Sequence, residues 1–415
     1  MTPQQTTPDA TGNAADYFVD RHVREGRGGK VAFAQGGRAM SFADLKRDSD
    51  RMVDFYARHG IGRESRAAVL ALDCLEYPVI FWGSLKAGVV PVCLNTLLST
   101  DQYRYILGDC RAKVLFVSAQ LFEVVAPILG ADPTIEEVFV VGGVVNGRTS
   151  FETAFAPCAN AAPVTVSADE TAFWLYSSGS TGMPKGVMHV HSSLQGTSDT
   201  YARKVLGIRE DDTGFSAAKL FFAYGLGNAM TFPMAVGATT VLYPGRPTPQ
   251  SVGEVMATHL PTIFYGVPTL YAAMLASAGD GPIPGSERLR LCVSAGEALP
   301  KDIGERWKEK TGVDILDGVG STEMLHIFLS NAPGNVEYGT SGTAVPGYDV
   351  RLVDESGADV GDDEVGELLV QGETAASGYW NQRAKSRTTF LGEWTRTGDK
   401  YTRRSDGRYV YCGRT

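Results

Sequence analysis

The sequence predicts an α/β protein in which two parallel-rich sheets are covered by helices and followed by a small antiparallel sheet or barrel. Short apolar runs alternate with amphipathic ones over residues 16–162, and the rhythm starts again over 163–335. After residue 336 the texture shifts to Gly-rich, alternating runs. Alternation of apolar strands with helical segments is the mark of βαβ units, which need a parallel sheet buried on both faces.

In the first segment, residues 67–72 read as a strand, 76–87 as a helix, and 89–94 and 114–118 as further strands. In the second, 172–176, 237–243, 262–265 and 289–293 read as strands, with a helix over 300–310. In the third, 350–353, 367–370 and 409–411 alternate, and Asp406-Gly407 is a hairpin turn signal. Residues 1–15 are polar and are expected to be disordered.

A chain of 415 residues is too long for one simple core, which fits two or three packed subdomains. Its net charge of -9 argues against nucleic acid or an anionic membrane as partner, so any phosphate must be held by local donors. The six cysteines, at 74, 93, 110, 158, 292 and 412, show no paired spacing, as expected of reduced thiols in a cytoplasmic protein. No run has the length of a spanning helix, and no signal peptide is recognised. The sequence leaves a homodimer open.

The segment from Tyr176 to His189, YSSGSTGMPKGVMH, is entered from the apolar run Ala172-Phe173-Trp174-Leu175. Gly179, Gly182 and Gly186 let backbone N–H groups approach an anion; Ser177, Ser178, Ser180 and Thr181 add hydroxyls, and Lys185 adds a charge. It is not a Walker A loop, because Lys185 lies between Pro184 and Gly186 and the following residues read as a strand rather than a helix. A flexible Ser/Gly linker is the bland alternative, disfavoured by the apolar strands on both sides.

This segment resembles the signature phosphate loop of the acyl-adenylate-forming superfamily, which includes acyl-CoA ligases, luciferases and peptide-synthetase adenylation domains. The resemblance implies two α/β subdomains in αβαβα layers plus a distorted antiparallel barrel. It also implies a loop that closes over the β- and γ-phosphates of ATP while a carboxylate attacks the α-phosphate. An anion attacking a polyanion needs donors and a metal to neutralise the charge that builds up.

Asp317-Gly318-Val319-Gly320-Ser321-Thr322-Glu323 resembles the family's Tyr-Gly-x-Thr-Glu motif, in which Thr contacts the α-phosphate and Glu holds Mg²⁺. Thr181 is assigned to the same metal. A plain helix start, with Ser321 or Thr322 capping, is the reading without that context. Val319 stands where many members carry an aromatic against adenine. Ser294-Ala295-Gly296-Glu297-Ala298-Leu299-Pro300 is a βα loop that in the family walls the adenine site. Thr397-Gly398-Asp399 reads alone as a β-turn; the family places such an Asp on the ribose diol, and the Arg of Gly413-Arg414 on the nucleotide.

Residues 219–228, KLFFAYGLGN, mix aromatics with very small residues, a composition suited to a flat slot or to ordinary core packing. Together with Glu323 to Ile327 they resemble the benzoate-CoA ligases, which implies an aryl pocket of Ala223, Tyr224, Gly320, His326 and Ile327. None carries a permanent charge, as an apolar arene requires. Phe222 stands where many relatives have His, so His326 is expected to take part of the polar work near the carboxylate. Taken alone it would be a core histidine. His189 and His191 are left structural, since two His without a third ligand are a weak metal signal.

The function expected is ATP-dependent activation of an aryl carboxylate, benzoate first, to aryl-AMP and then to aryl-CoA, with Mg²⁺ and coenzyme A. Thr181, Lys185, Thr322, Glu323 and His326 are the expected catalytic residues. The family continues past the position of Thr415 with a C-terminal domain of about a hundred residues carrying a further lysine, so the chain resembles the large domain alone and is expected to turn over poorly. The alternatives are a substituted-benzoate ligase, a carrier-protein-loading adenylation domain, a non-catalytic aroyl-AMP binder and a kinase-like phosphotransferase.

Overall fold

A computed structural model describes residues 12–130, 134–177 and 183–414. The expected disorder of residues 1–15 therefore stops short: Asn13, Ala14 and Ala15 are buried. Their polar groups are satisfied there, Asn13 Nδ2 donating to Leu85 O at 2.8 Å and Ala14 N–H to His191 Nδ1 at 3.2 Å. Residues 1–11 lie outside the described residues.

The chain forms two compact units, residues 1–31 with 40–195, and 32–39 with 196–415. In the first, the sheet runs in the order Lys185–Val190, Thr171–Ser177, Val90–Cys93, Arg66–Leu70, Val114–Ser118, Glu137–Val141, Thr149–Ser150. All neighbours are parallel except the antiparallel pair 171–177 and 185–190. The helix Glu76–Ala87 is buried along almost its whole length and ends on Gly88 in a left-handed conformation. The helix Phe42–Arg58 begins with a Ser41/Asp44 capping box.

This division differs from the one read in the sequence. Thr171–Ser177, placed there in the second α/β segment, joins the first sheet by pairing Val92 with Trp174 and Cys93 with Leu175. Residues 32–39, placed in the first, belong to the second unit, where Phe33 and Ala34 pair with Thr240 and Val241. An apolar run specifies a buried strand but not its partner, because pairing is made over long sequence separation.

In the second unit, strands Ile315–Gly320, Leu291–Ser294, Ile263–Gly266, Thr213–Ser216, Thr239–Val241 and Val31–Gln35 are neighbours in that order and parallel. Ile327–Ser330 and Thr343–Ala344 extend the Ile315–Gly320 edge antiparallel. A separate antiparallel sheet of Asp349–Val353, Gly366–Gln371, Trp394–Arg403, Phe390–Leu391 and Tyr409–Arg414 completes the unit, as the alternating texture predicted. Parallel-rich sheets with helices plus an antiparallel sheet are the fold class expected.

Candidate functional site

In open α/β sheets ligands bind beyond the carboxyl ends of parallel strands. A cavity of about 440 Å³ opens there, lined by Gly296–Ala298, which follow strand Leu291–Ser294, and by 317–320, which end their own strand. Its other walls are Ser341 and, from the antiparallel sheet, Asp399, Tyr401, Tyr411 and Arg414. That volume is within the usual range for small-molecule sites.

Of the residues assigned to ATP by sequence, Gly296, Glu297, Asp317, Gly318, Val319, Asp399 and Arg414 share this cavity, as does Gly320 from the aryl set. Ser294 and Ala295 are buried at the start of the same loop, while Ser321 accepts the Met324 N–H at 3.1 Å and is half-buried. Ala298, within the segment read as an adenine wall, also lines it, whereas sequence reading missed Ser341, Tyr401 and Tyr411. For Tyr411 a signal existed: it alternates with Tyr409 on a strand, and it is a large ring left 41% exposed.

Asp399 is aimed by an irregularity in its strand, not by the β-turn read locally. Glu367 pairs with Lys400 and Leu369 with Arg396, so the residues between, Thr397 to Asp399, bulge outward opposite Leu368. Gly398 sits at φ 74, Thr397 Oγ1 donates to Leu368 O at 2.9 Å, and Asp399 N–H donates to Thr397 Oγ1 at 3.1 Å. The Asp399 carboxylate is met by Arg414 Nη1 at 2.7 Å. Their pairing across the ladder, Asp399 opposite Arg414, puts an acceptor and a cation on the same cavity wall.

Asp317 is 5% exposed, and burial raises its pKa from the usual carboxylate range to about 8. The Leu299 N–H at 3.4 Å from Oδ2 and the Ser294 hydroxyl favour the ionised form without offsetting that desolvation. A raised acid pKa means that the folded chain holds a proton the unfolded chain releases. Stability contributed by the neutral form is therefore lost as pH rises from about 4 to about 8. Asp317→Asn should have a higher melting temperature than the parent above pH 8, with the gap closing toward pH 4; a pH-independent gap in thermal denaturation would refute a protonated Asp317.

The segment Ser321–Leu325 is a loop between antiparallel strands rather than a helix start. Leu325 takes φ 68 at its end. Glu323 Oε1 accepts the Tyr379 hydroxyl at 2.8 Å, Glu323 O accepts Ala376 N–H at 2.8 Å, and Thr374 Oγ1 donates to Met324 O at 2.8 Å. Thr322 and Glu323 are half-buried. Among the described residues no cluster of three or more His, Cys, Asp or Glu forms a metal cage. One carboxylate suits Mg²⁺, which keeps most of its shell for water and phosphate.

Ala223, Tyr224, His326 and Ile327 lie in the same unit. Ala223 and Ile327 are buried, and the Tyr224 hydroxyl reaches Gly266 O at 3.1 Å and Val293 O at 3.2 Å. The His326 ring packs against Phe232, Tyr201 and Tyr224 at 4.5, 5.4 and 5.6 Å, and burial pushes its pKa down to about 3. Gly227 has room for no side chain, since a Cβ would stand 2.6 Å from His326 Cδ2.

In the first unit, Ser177 ends the strand Thr171–Ser177 and Lys185 opens the next, with the two in register. Ser178, Gly179, Ser180, Thr181 and Gly182 lie outside the described residues. His189 stacks on Phe173 at 5.3 Å and His191 accepts the Ala14 N–H, its pKa lowered by burial to about 4. No two of the six cysteines form a disulfide, and no helix among the described residues is long and apolar enough to cross a membrane.

Residues 19–380 match the AMP-binding enzyme family. The chain is 53% identical to a 4-hydroxybenzoate–CoA/benzoate–CoA ligase of Rhodopseudomonas palustris, over 97% of this chain and 75% of the relative. It is 51% identical to a benzoate–CoA ligase of Thauera aromatica, over 97% and 76%. A solved benzoate CoA ligase from Burkholderia xenovorans LB400 superimposes with a TM-score of 0.91 at 45% identity, covering 97% of this chain and 80% of that one. With the nucleotide-sized cavity at the strand ends and a match across most of its length, the chain belongs to the AMP-binding enzyme family.

Proposed function

We propose that this chain binds ATP and an aryl carboxylate of the benzoate class, the carboxylate displacing pyrophosphate from the α-phosphate to give an aryl adenylate, from which coenzyme A thiol then displaces AMP. The observation that carries this reading is the cavity that gathers 296–298, 317–320, Asp399 and Arg414, within a chain half identical to two benzoate-activating relatives. Asp399 is assigned to the ribose diol, because a carboxylate accepts from both hydroxyls, and Arg414 moves from Asp399 toward the nucleotide. Thr322 donates to the α-phosphate. Glu323 would hold Mg²⁺, which would supply neutralisation of the phosphate charge.

Phosphate-holding roles for Ser177, Lys185 and the loop at 178–182 rest on their sequence pattern. Ala223, Tyr224, Gly320, His326 and Ile327 are assigned to the ring, where dry, uncharged walls suit an arene. A burial-lowered pKa makes His326 neutral at pH 7, so its role is hydrogen bonding rather than charge pairing with the substrate carboxylate. The protein supplies positioning and electrostatics, and no covalent nucleophile is required.

A non-hydrolysable benzoyl-sulfamoyl-adenosine should bind this chain at least about 100-fold more tightly than benzoate or AMP alone, as expected of an intermediate mimic that spans both subsites. Calorimetric titration checks this. Equal affinity for the mimic and for AMP would remove the aryl subsite from the reading.

A further inference from the structure

His326 and Asn228 form a buried pair. Tyr224 and Asn228 are four residues apart on consecutive helical segments, Ala223–Leu226 and Gly227–Thr231, which brings the Tyr224 carbonyl and the Asn228 side chain to one face. Both meet the same ring atom: His326 Nε2 lies 3.3 Å from Tyr224 O and 3.1 Å from Asn228 Oδ1.

A backbone carbonyl only accepts, so Nε2 must carry the proton. The Asn228 amide follows, presenting oxygen to the same N–H. His326 is 3% exposed, ringed by Tyr201, Tyr224 and Phe232, and its Nδ1 takes no hydrogen bond from the described residues. In a neutral imidazole protonated at Nε2, Nδ1 is a bare lone pair. A buried acceptor left unpaired is costly, and a ligand that supplies a donor removes the cost.

We propose that the Tyr224 carbonyl and the positioning residue Asn228 together hold His326 in the Nε2–H tautomer, making Nδ1 an acceptor for a hydroxyl or amino group on the substrate ring. The inference rests on the aryl-carboxylate reading above and adds to it a preference, among benzoates, for a ring that bears a hydrogen-bond donor. It also alters the role expected of His326. A bare acceptor repels a carboxylate oxygen, so the histidine reads the ring and not the carboxylate.

The tautomer is measured on the whole chain without ligand, by ¹⁵N-histidine NMR, with a His326→Gln protein identifying the resonances. The expected spectrum shows His326 neutral, protonated at Nε2 and bare at Nδ1. Calorimetric titration then compares 2-, 3- and 4-hydroxybenzoate with the matching fluorobenzoates, which are similar in size but donate nothing. At one ring position the hydroxyl compound should bind about 3–10-fold more tightly, as one net hydrogen bond gives. In Asn228→Leu, which leaves the Tyr224 carbonyl as the remaining acceptor, that ratio should fall, and the ¹⁵N shifts should show a smaller Nε2–H population.

An Nδ1–H or doubly protonated His326, a ratio of one at all three positions, or a ratio and tautomer unchanged in Asn228→Leu would overturn the proposal. Absence of binding by every benzoate, with the tautomer as expected, would instead overturn the aryl-carboxylate reading and with it the ligand assigned to Nδ1. The positioning by Asn228 would then stand alone.

Discussion

Glu323→Gln should weaken Mg²⁺-dependent binding of ATP by about 10–100-fold or more while leaving metal-free ATP binding nearly unchanged. Removing even an indirect partner of a metal ligand costs that much in metal affinity, and Glu323 is the direct ligand in the reading above. The amide keeps the side chain's size and can still accept the Tyr379 hydroxyl, which reaches Oε1 at 2.8 Å. Loss of folding is thus separated from loss of metal. Tyr379→Phe removes that supporting hydrogen bond together with the hydroxyl's bond to Thr389, and should cost a few-fold at most. Titration of ATP with Mg²⁺ and with chelator, for both variants, checks the pair of effects. Equal losses with and without Mg²⁺ in Glu323→Gln would place the carboxylate elsewhere than on the metal.

Lys86→Met should destabilise the first unit by about 3–5 kcal/mol, the usual cost of leaving buried charge without its partner. The Lys86 side chain is fully buried, and its Nζ contacts Asp20 Oδ1 at 2.6 Å and Asp50 Oδ1 at 2.5 Å. Burial raises the Asp20 pKa even against the pull of Lys86, so this carboxylate has little solvent to fall back on. Asp50 keeps a second cation, Lys46, at 2.6 Å, and should suffer less. Urea unfolding followed by tryptophan fluorescence measures the loss, and adding Asp20→Asn should recover part of it by removing the stranded charge. A loss under about 1 kcal/mol would mean that water reaches the cluster.

Much of the fold was legible because its signals are local. The apolar run at 67–72 and the small-residue stop at Gly88 are written in consecutive residues, and the strands and helix seen there follow from them. The same is true of Asp317 to Glu323 and of Thr397-Gly398-Asp399, since a motif fixes residue types at short spacing. Sheet membership was not legible. Residues 171–177 and 32–39 each carry a strand pattern, but which strand they join depends on partners made by distant parts of the chain.

The sequence by itself determined that this chain is α/β, that it carries segments patterned like polyphosphate and nucleotide motifs, and that the residues proposed to face the aryl ring are uncharged. Tertiary structure alone decided the chemistry of those residues. Asp317 is an ordinary carboxylate in the sequence and one whose pKa is raised to about 8 in the fold, because burial disfavours its charged form. His326 is a histidine of either tautomer until the Tyr224 carbonyl and the Asn228 amide, brought close by folding from about a hundred residues away, meet its Nε2. Protonation and hydrogen-bond direction depend on solvent exclusion and on distant neighbours, and neither is written in the spacing of residues along a chain.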